Sequence, residues 1–185
     1  MILQDQALLA AAADLPVASL YRRSGFRSQS ARFLCGPASL DNVLRSLGEP
    51  VDRSTLLAGT GLGGIFGMRF GGMTLEDLAH VVRVRTGRRV EILRDLSLDA
   101  FRAHVSGAND PARRYIVNFH RRPVFGWGGG HHSPLAGYLA ADDLALILDV
   151  NRRIGPWLVS TPRLHAAVST LDRTSHRSRG LLLVE

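Results

Sequence analysis

Residues 29–47 read QSARFLCGPASLDNVLRSL, and Cys35 at their centre is the only cysteine in the 185-residue chain. Gly36 and Pro37 follow at once. After them Leu40, Val43, Leu44 and Leu47 recur at spacings of three and four, which puts them on one face of a helix. Proline is favoured in the first helical turn, where no backbone N–H is needed. The pattern therefore predicts Cys35 at a helix N-terminus, where unpaired amides and the helix dipole favour a thiolate. A thiol so placed is a candidate nucleophile; the competing reading is a buried cysteine acting as a small hydrophobe.

Outward from this helix, Gly48-Glu49-Pro50 forms a stop signal. On the N-terminal side, residues 4–13 read as a short amphipathic helix and Pro16 to Ser28 as a loop. The first residues carry Asp5 and Asp14 and lack a basic stretch, so they do not read as a signal peptide. On the C-terminal side, Asp52 to Leu57 suggests a short helix. The next segment, GTGLGGIFGMRFGG, holds seven glycines between Gly59 and Gly72. It lacks a Gly-Lys-Ser/Thr ending and a preceding strand, so it reads as a loop lining a cleft rather than a phosphate cradle.

Thr74 with Asp77 opens a helix whose apolar face is Leu75, Leu78, Val81 and Val82, and Gly87 closes it. Val90–Leu93 reads as a strand, and Ser97 caps a helix running to Gly107. The periodicity then changes. Residues 115–119, 133–139 and 144–150 read as strands, Thr161-Pro162 opens a helix to Leu171, and 181–184 form a closing strand. Helices dominate the first half and strands the second, which predicts an α+β fold.

Composition narrows the function. The hydrophobic fraction of 45% suits an ordinary core. A single cysteine allows no internal disulfide, so an oxidising compartment is not required and the cytoplasm is the expected location. No apolar run approaches the roughly 20 residues needed to span a bilayer, so no membrane association is expected. The net charge is +7 and all 23 basic residues are arginine. They stand singly or in pairs, with no basic tract, which argues against nucleic acid and for a small anionic substrate. Five histidines, at 80, 104, 120, 165 and 176, show no H-x-x-x-H or H-E-x-x-H spacing, so no metal site is expected. Neither is there a Gly-x-Ser-x-Gly elbow.

A cysteine nucleophile needs a base, and the base an orienting group. His131 and His132 follow three glycines at the start of one predicted strand, and Asp149 ends the next. The Ala141-Asp142-Asp143 turn makes these strands an antiparallel hairpin, so His131 and Asp149 become neighbours. Taken singly, each has a structural alternative: a surface histidine turn, or an aspartate bonded to turn amides.

Three blocks in this order resemble the catalytic domain of phytochelatin synthases, a branch of the papain-like cysteine peptidases. They are Gln29-Ser30 with Phe33 to Leu40, Gly130 to Tyr138, and Asp142 to Val150. Pro156-Trp157 and Arg179-Gly180 are similar too, so the likeness runs from Gln29 to the C-terminus. It implies a single catalytic domain over residues 1–185 with a papain-like α+β fold, a helical lobe to about residue 88 packed on a β-rich lobe. It further implies Cys35 as nucleophile, His131 as acid/base, Asp149 as its orienter and Gln29 as oxyanion donor. Arg152 matches an arginine that holds the γ-glutamyl end of glutathione. His131 is selected over His132 because the latter stands where the family has an aromatic residue. The expected activity is removal of glycine from glutathione through a γ-Glu-Cys acyl-enzyme, passed to water or to an amine. No cofactor is expected for that chemistry; the partner is a small glutathione-like peptide or amide, and a homodimer is compatible with it.

The chain departs from the family pattern at residues 30–34 and lacks a tryptophan near Met68-Arg69-Phe70. It also lacks the cysteine-rich C-terminal region of the plant enzymes. These departures keep two alternatives open: an amide-forming acyltransferase with another acyl donor, and a catalytically silent binding module.

Overall fold

The computed structural model describes residues 4–49, 51–62 and 72–185. Its centre is a six-stranded antiparallel sheet. In chain order the strands are β1 (Val90–Leu93), β2 (Arg114–His120), β3 (Gly130–Leu139), β4 (Leu144–Leu148), β5 (Pro156–Ser160) and, at the end, β8 (Gly180–Val184). In space they run β1-β8-β2-β3-β4-β5. Two short strands, β6 (Leu171–Asp172) and β7 (Arg177–Ser178), pair as a separate hairpin.

Helices cover both faces of the sheet. On one lie α1 (Gln6–Ala13), α2 (Pro16–Arg23), α3 (Cys35–Ser46) and α4 (Leu75–Arg85), packed against Ile116, Ala136, Leu146, Leu158 and Leu182. On the other, α5 (Leu98–Ser106) and α7 (Thr161–Val168) pack against Tyr115, Val117, Leu135, Ile147 and Val159. Alternation along β2 and β8 therefore sends neighbouring side chains into different apolar layers, and both strands are buried throughout almost their whole length. The segregation of helices and strands in sequence holds, but the helices of the second half close the sheet's far face. This is an α+β class fold.

Several boundaries differ from the sequence reading. Pro16 opens α2 rather than a loop: it occupies the first turn, and Val17, Ala18 and Tyr21 point into the core. Residues 52–57 form hydrogen-bonded turns instead of a helix, because the Asp52 carboxylate accepts from the Ser54 N–H at 2.9 Å. Of the glycine-rich loop expected at 59–72, residues 63–71 lie outside the described residues. The last helix stops at Val168, and Leu171 belongs to β6. Elsewhere the local signals decide the element. Thr74 and Asp77 form a reciprocal capping box on α4, and Ser97 caps α5.

Buried polar contacts lock α3 in place. Asn42 donates to the carbonyls of Arg27 and Ala38, each at 2.8 Å, and accepts from the Arg27 N–H at 2.8 Å. Arg53 binds Asp41 at 2.6 Å and the Ser28 carbonyl at 2.9 Å. The buried Arg114 guanidinium donates to the Ser46 hydroxyl at 2.8 Å and carbonyl at 3.0 Å, fastening the C-terminal end of α3 to β2. At its N-terminal end, Gly36 lets α3 close on Met73 and Leu78, each 3.3 Å from where a Cβ would sit.

Candidate active site

Cys35 is the first residue of α3, and no side chain among the described residues caps that end. The free amides of the first turn are thus available beside the sulfur. The preceding loop is anchored twice, by Asn42 as described and by the Gln29 N–H, which donates to the Val150 carbonyl at 2.8 Å. This second bond ties the segment leading to Cys35 to the residue after Asp149.

The β3–β4 hairpin brings His131 and Asp149 together, with His131 Nε2 2.8 Å from Asp149 Oδ1. Both side chains are buried, at 2% and 0% exposure. Asp149 Oδ1 also accepts from the Asn151 N–H at 2.8 Å, and Oδ2 accepts from Trp157 Nε1 at 3.3 Å. Arg121 stands 3.9 Å away. Burial alone would push the Asp149 carboxyl up. The His131 bond, the Asn151 amide and the Arg121 charge outweigh it and hold the carboxyl below its ordinary range. The His131 ring is wedged edge-on against Phe119, which in turn meets Trp157 edge-on.

His132 leaves the other face of β3, opposite Asn118. Its Nδ1 lies 3.8 Å from the Cys35 sulfur. Burial would raise the Cys35 thiol, but hydrogen bonding from His131 and His132 outweighs burial and brings it well below its ordinary value. Desolvation would lower His131; its bonds to Asp149 and Cys35 instead raise it. Those two directions describe a thiolate facing an imidazolium, the charge state a cysteine nucleophile needs.

Beside Cys35 opens a cavity of about 660 Å³, lined among others by Met73, Trp127, His132, Asp172 and Arg179. Arg122, Arg173 and His120 also border it. Desolvation, with the cationic neighbours Arg179, Arg122 and Arg173 added to it, depresses His120. Arg179 is nearly buried; its Nη1 donates to Asn118 Oδ1 at 2.7 Å and lies 3.6 Å from Asp172 Oδ2. Gly130 makes room for it here: a Cβ at this position would displace the Arg179 guanidinium. The hairpin carrying Asp172 is held by Arg94, which binds Glu76 at 2.7 Å and the Ser178 carbonyl at 2.6 Å.

The sequence-derived residues fall into two groups. Cys35, His131 and Asp149 converge. Gln29 enters by the same loop, but its amide donates to the carbonyls of Ala31 at 2.9 Å and Arg32 at 3.3 Å. Arg152 is exposed and lines a separate groove of about 860 Å³ formed with α1 and α2. The structure does not bring it to the cavity that holds Cys35. Asp172, Trp157 and Arg179 carry no role in the sequence reading. For Trp157 a signal existed: a buried indole N–H requires an acceptor. For Asp172 there was none, since strands of two residues leave no pattern.

Three of the remaining histidines have structural partners. His80 meets the Thr60 carbonyl at 3.0 Å, His165 the Leu96 carbonyl at 2.8 Å, and His104 the Tyr115 hydroxyl at 3.5 Å. Among the described residues no group of three His, Cys, Asp or Glu side chains is arranged to hold a metal ion. Among them, too, no helix is long and apolar enough to cross a membrane.

Comparison with known proteins places this geometry. A family model described as phytochelatin synthase matches residues 67–181. The chain belongs to the phytochelatin synthase family. It is 35% identical over 178 residues to glutathione gamma-glutamylcysteinyltransferase 1 of Triticum aestivum, an alignment covering 87% of this chain and 34% of the wheat protein. It is 32% identical over 197 residues to the Lotus japonicus protein of the same name, covering 97% of this chain and 38% of the relative. The chain therefore spans about a third of the length of these relatives. Among solved structures, the peptidase domain of Streptococcus ComA, a bi-functional ABC transporter, superposes with a TM-score of 0.57 at 16% identity, covering 85% of this chain and 93% of that one. A structure described as a C39-like peptidase from Bacillus anthracis gives 0.61 at 14% identity, covering 88% and 95%. The fold of this phytochelatin synthase family member is thus the papain-like one.

Proposed function

We propose that the protein is a cysteine-dependent acyltransferase or peptidase that removes glycine from glutathione. The observation that carries this reading is the Cys35 sulfur at the open end of α3, with His131 and Asp149 paired beside it. The Cys35 thiolate adds to the carbonyl of the Cys–Gly amide. The tetrahedral oxyanion is held by the Cys35 N–H and by Gln29 Nε2, whose 3.3 Å bond to the Arg32 carbonyl is the weaker of its two and the one an oxyanion displaces. His131 gives its proton to the departing glycine nitrogen, the C–N bond breaks, and γ-Glu-Cys remains as a thioester on Cys35. Water or the amine of a second glutathione then adds to the thioester and yields its proton to His131, and the thiolate leaves.

The cavity supports a substrate of this charge type. Glutathione's γ-glutamyl end carries an ammonium and a carboxylate. Asp172 and Arg179 offer one partner for each, within one buried polar cluster. We assign the γ-glutamyl end to them, because Arg152 lies in the other groove. The surrounding arginines suit the net negative charge of the tripeptide. The names of the relatives point to the same substrate.

Incubation with glutathione is expected to release glycine, with γ-Glu-Cys or its transfer product as the partner, and Cys35→Ala is expected to abolish this. Turnover that survives the substitution contradicts the mechanism. One observation favours a second reading, an amide-forming transferase with a more apolar acyl donor: Trp127 lines the cavity while 58% exposed. Inertness toward glutathione, together with rapid alkylation of Cys35, would select it.

A further inference from the structure

The sheet presents two imidazoles to one sulfur, and the mechanism above uses only His131. The second, His132, is 4% exposed, with Nδ1 3.8 Å from Cys35 Sγ and Nε2 buried without a hydrogen-bond partner among the described residues. For an uncharged ring those two facts choose between the two tautomers. An uncharged imidazole carries one N–H. Placed on Nε2, it would be an orphaned buried donor, which native structures rarely tolerate. Placed on Nδ1, it points at the sulfur, and Nε2 keeps a lone pair. Asp172 does not change this, because its Oδ2 is engaged by Asn118 at 3.2 Å and no hydrogen bond joins it to His132.

We propose that His132 is a second catalytic imidazole, a fixed Nδ1–H donor to the Cys35 sulfur that transfers no proton. The proposal rests on Cys35 being the nucleophile. Its role divides from that of His131 by the state of the sulfur. A thiolate is a strong acceptor for N–H, whereas a thioester sulfur is a poor one. The His132 bond therefore favours the free thiolate over the acyl-enzyme. When water or an amine adds to the thioester, the nucleophile's proton passes to His131, the C–S bond breaks, and its electron pair returns to the sulfur facing the His132 N–H. The better-stabilised thiolate leaves faster and attacks more slowly, because nucleophilicity falls with thiol pKa. His132 thus shifts the balance toward acyl release.

The test is the pH dependence of Cys35 alkylation by iodoacetamide in the purified protein, which needs no substrate. His132→Phe keeps a planar ring and removes both nitrogens; His132→Gln keeps an N–H donor. The other charged groups around the sulfur are the same in all three proteins. They are Asp149 behind His131, Asp172 and Arg173 on the β6–β7 hairpin, Arg179 before β8, and His120, Arg121 and Arg122 where β2 meets α6 (Arg121–Phe125). In His132→Phe the apparent thiol pKa should rise by about one unit, a roughly tenfold loss of thiolate on the acid side, and His132→Gln should recover part of it. With glutathione, the Phe variant should hold a larger fraction of acyl-enzyme in the first turnovers than the wild type.

Alkylation curves for His132→Phe and wild type that superimpose would overturn the proposal, provided circular dichroism shows both folded. So would a His132→Phe protein that loses its alkaline activity limb while His131→Phe keeps it, because His132 would then be the base. A shifted alkylation curve in a protein inert to glutathione would uphold His132 and overturn the substrate reading alone. A wild-type thiol titrating in the ordinary range would overturn both.

Discussion

Replacing Asp149 by Asn tests the pair at the heart of the site. The carboxylate presents three acceptor contacts in a buried setting: Oδ1 to His131 Nε2 at 2.8 Å and to the Asn151 N–H at 2.8 Å, and Oδ2 to Trp157 Nε1 at 3.3 Å. Asparagine has one acceptor atom for these donors. Whichever way its amide turns, an NH₂ faces either His131 and Asn151 or Trp157, and a buried donor loses its partner. The negative charge that raises His131 is lost as well. A hydrogen bond to a charged group contributes about 1.5–3 kcal/mol, which corresponds to roughly a 10- to 100-fold loss in kcat/KM and a fall of one to two units in the His131 pKa.

The direction on each limb follows from the signs. The active ion pair exists above the lowered thiol pKa and below the raised imidazole pKa. Removing the Asp149 charge lowers the imidazole and, through the weaker imidazolium, raises the thiol, so the plateau narrows from both sides. The assay is kcat/KM for glycine release against pH, beside the alkylation curve of Cys35. A profile of unchanged width, with kcat/KM within about threefold of wild type, would refute the reasoning.

Gln29→Ala should lower kcat by about 10²-fold with little change in KM, the usual effect of removing one oxyanion donor; an effect confined to KM would remove Gln29 from that role. Arg179→Met should raise KM for glutathione more than it lowers kcat, and Arg179→Lys should fail to restore it: Nη1 is already turned to Asn118 and Asp172, and a lysine ammonium keeps no planar pair of N–H groups for a carboxylate; steady-state kinetics separate the two. Asp149, Asp172, Asp143 and Glu76 all have carboxyls held below their ordinary range. Their stabilisation is therefore present above an unfolded-state pKa of about 4 and lost as pH falls through the lower folded values. Urea midpoints should hold near neutrality and drop below about pH 4, and a midpoint that rises there would contradict these assignments.

The amino-acid sequence carries the fold unevenly, for physical reasons. Where an apolar repeat begins at a capping residue, as at Thr74 and Ser97, the element is legible nearly to its ends. α2 is not, because Pro16 signals both a break and a helical first turn and only packing chooses. β5 escapes because it is a short edge strand opening on Pro156, whose missing N–H costs an edge little. The strand placement of His131 and the turn at 141–143 bring Asp149 to the same end of the hairpin, but the bulge that shifts the register between Leu135 and Gly137 left no mark in the sequence. Arg179 and Asp172 are beyond such logic: they meet through Asn118 on β2, a contact spanning more than 50 residues. Arg152 shows the reverse limit. Three residues after Asp149, it is close in sequence, yet the 151–155 turn carries it to the α1–α2 side.

The central claim is that Cys35 carries an acyl group taken from glutathione, and intact-protein mass spectrometry tests it most directly. Wild-type protein mixed with glutathione and quenched in acid within the first turnovers should gain the mass of glutathione less glycine. The adduct should map to Cys35, be cleaved by hydroxylamine, and resist reductant. A gain equal to whole glutathione that reductant removes, or no adduct while glycine is still released, would contradict the account.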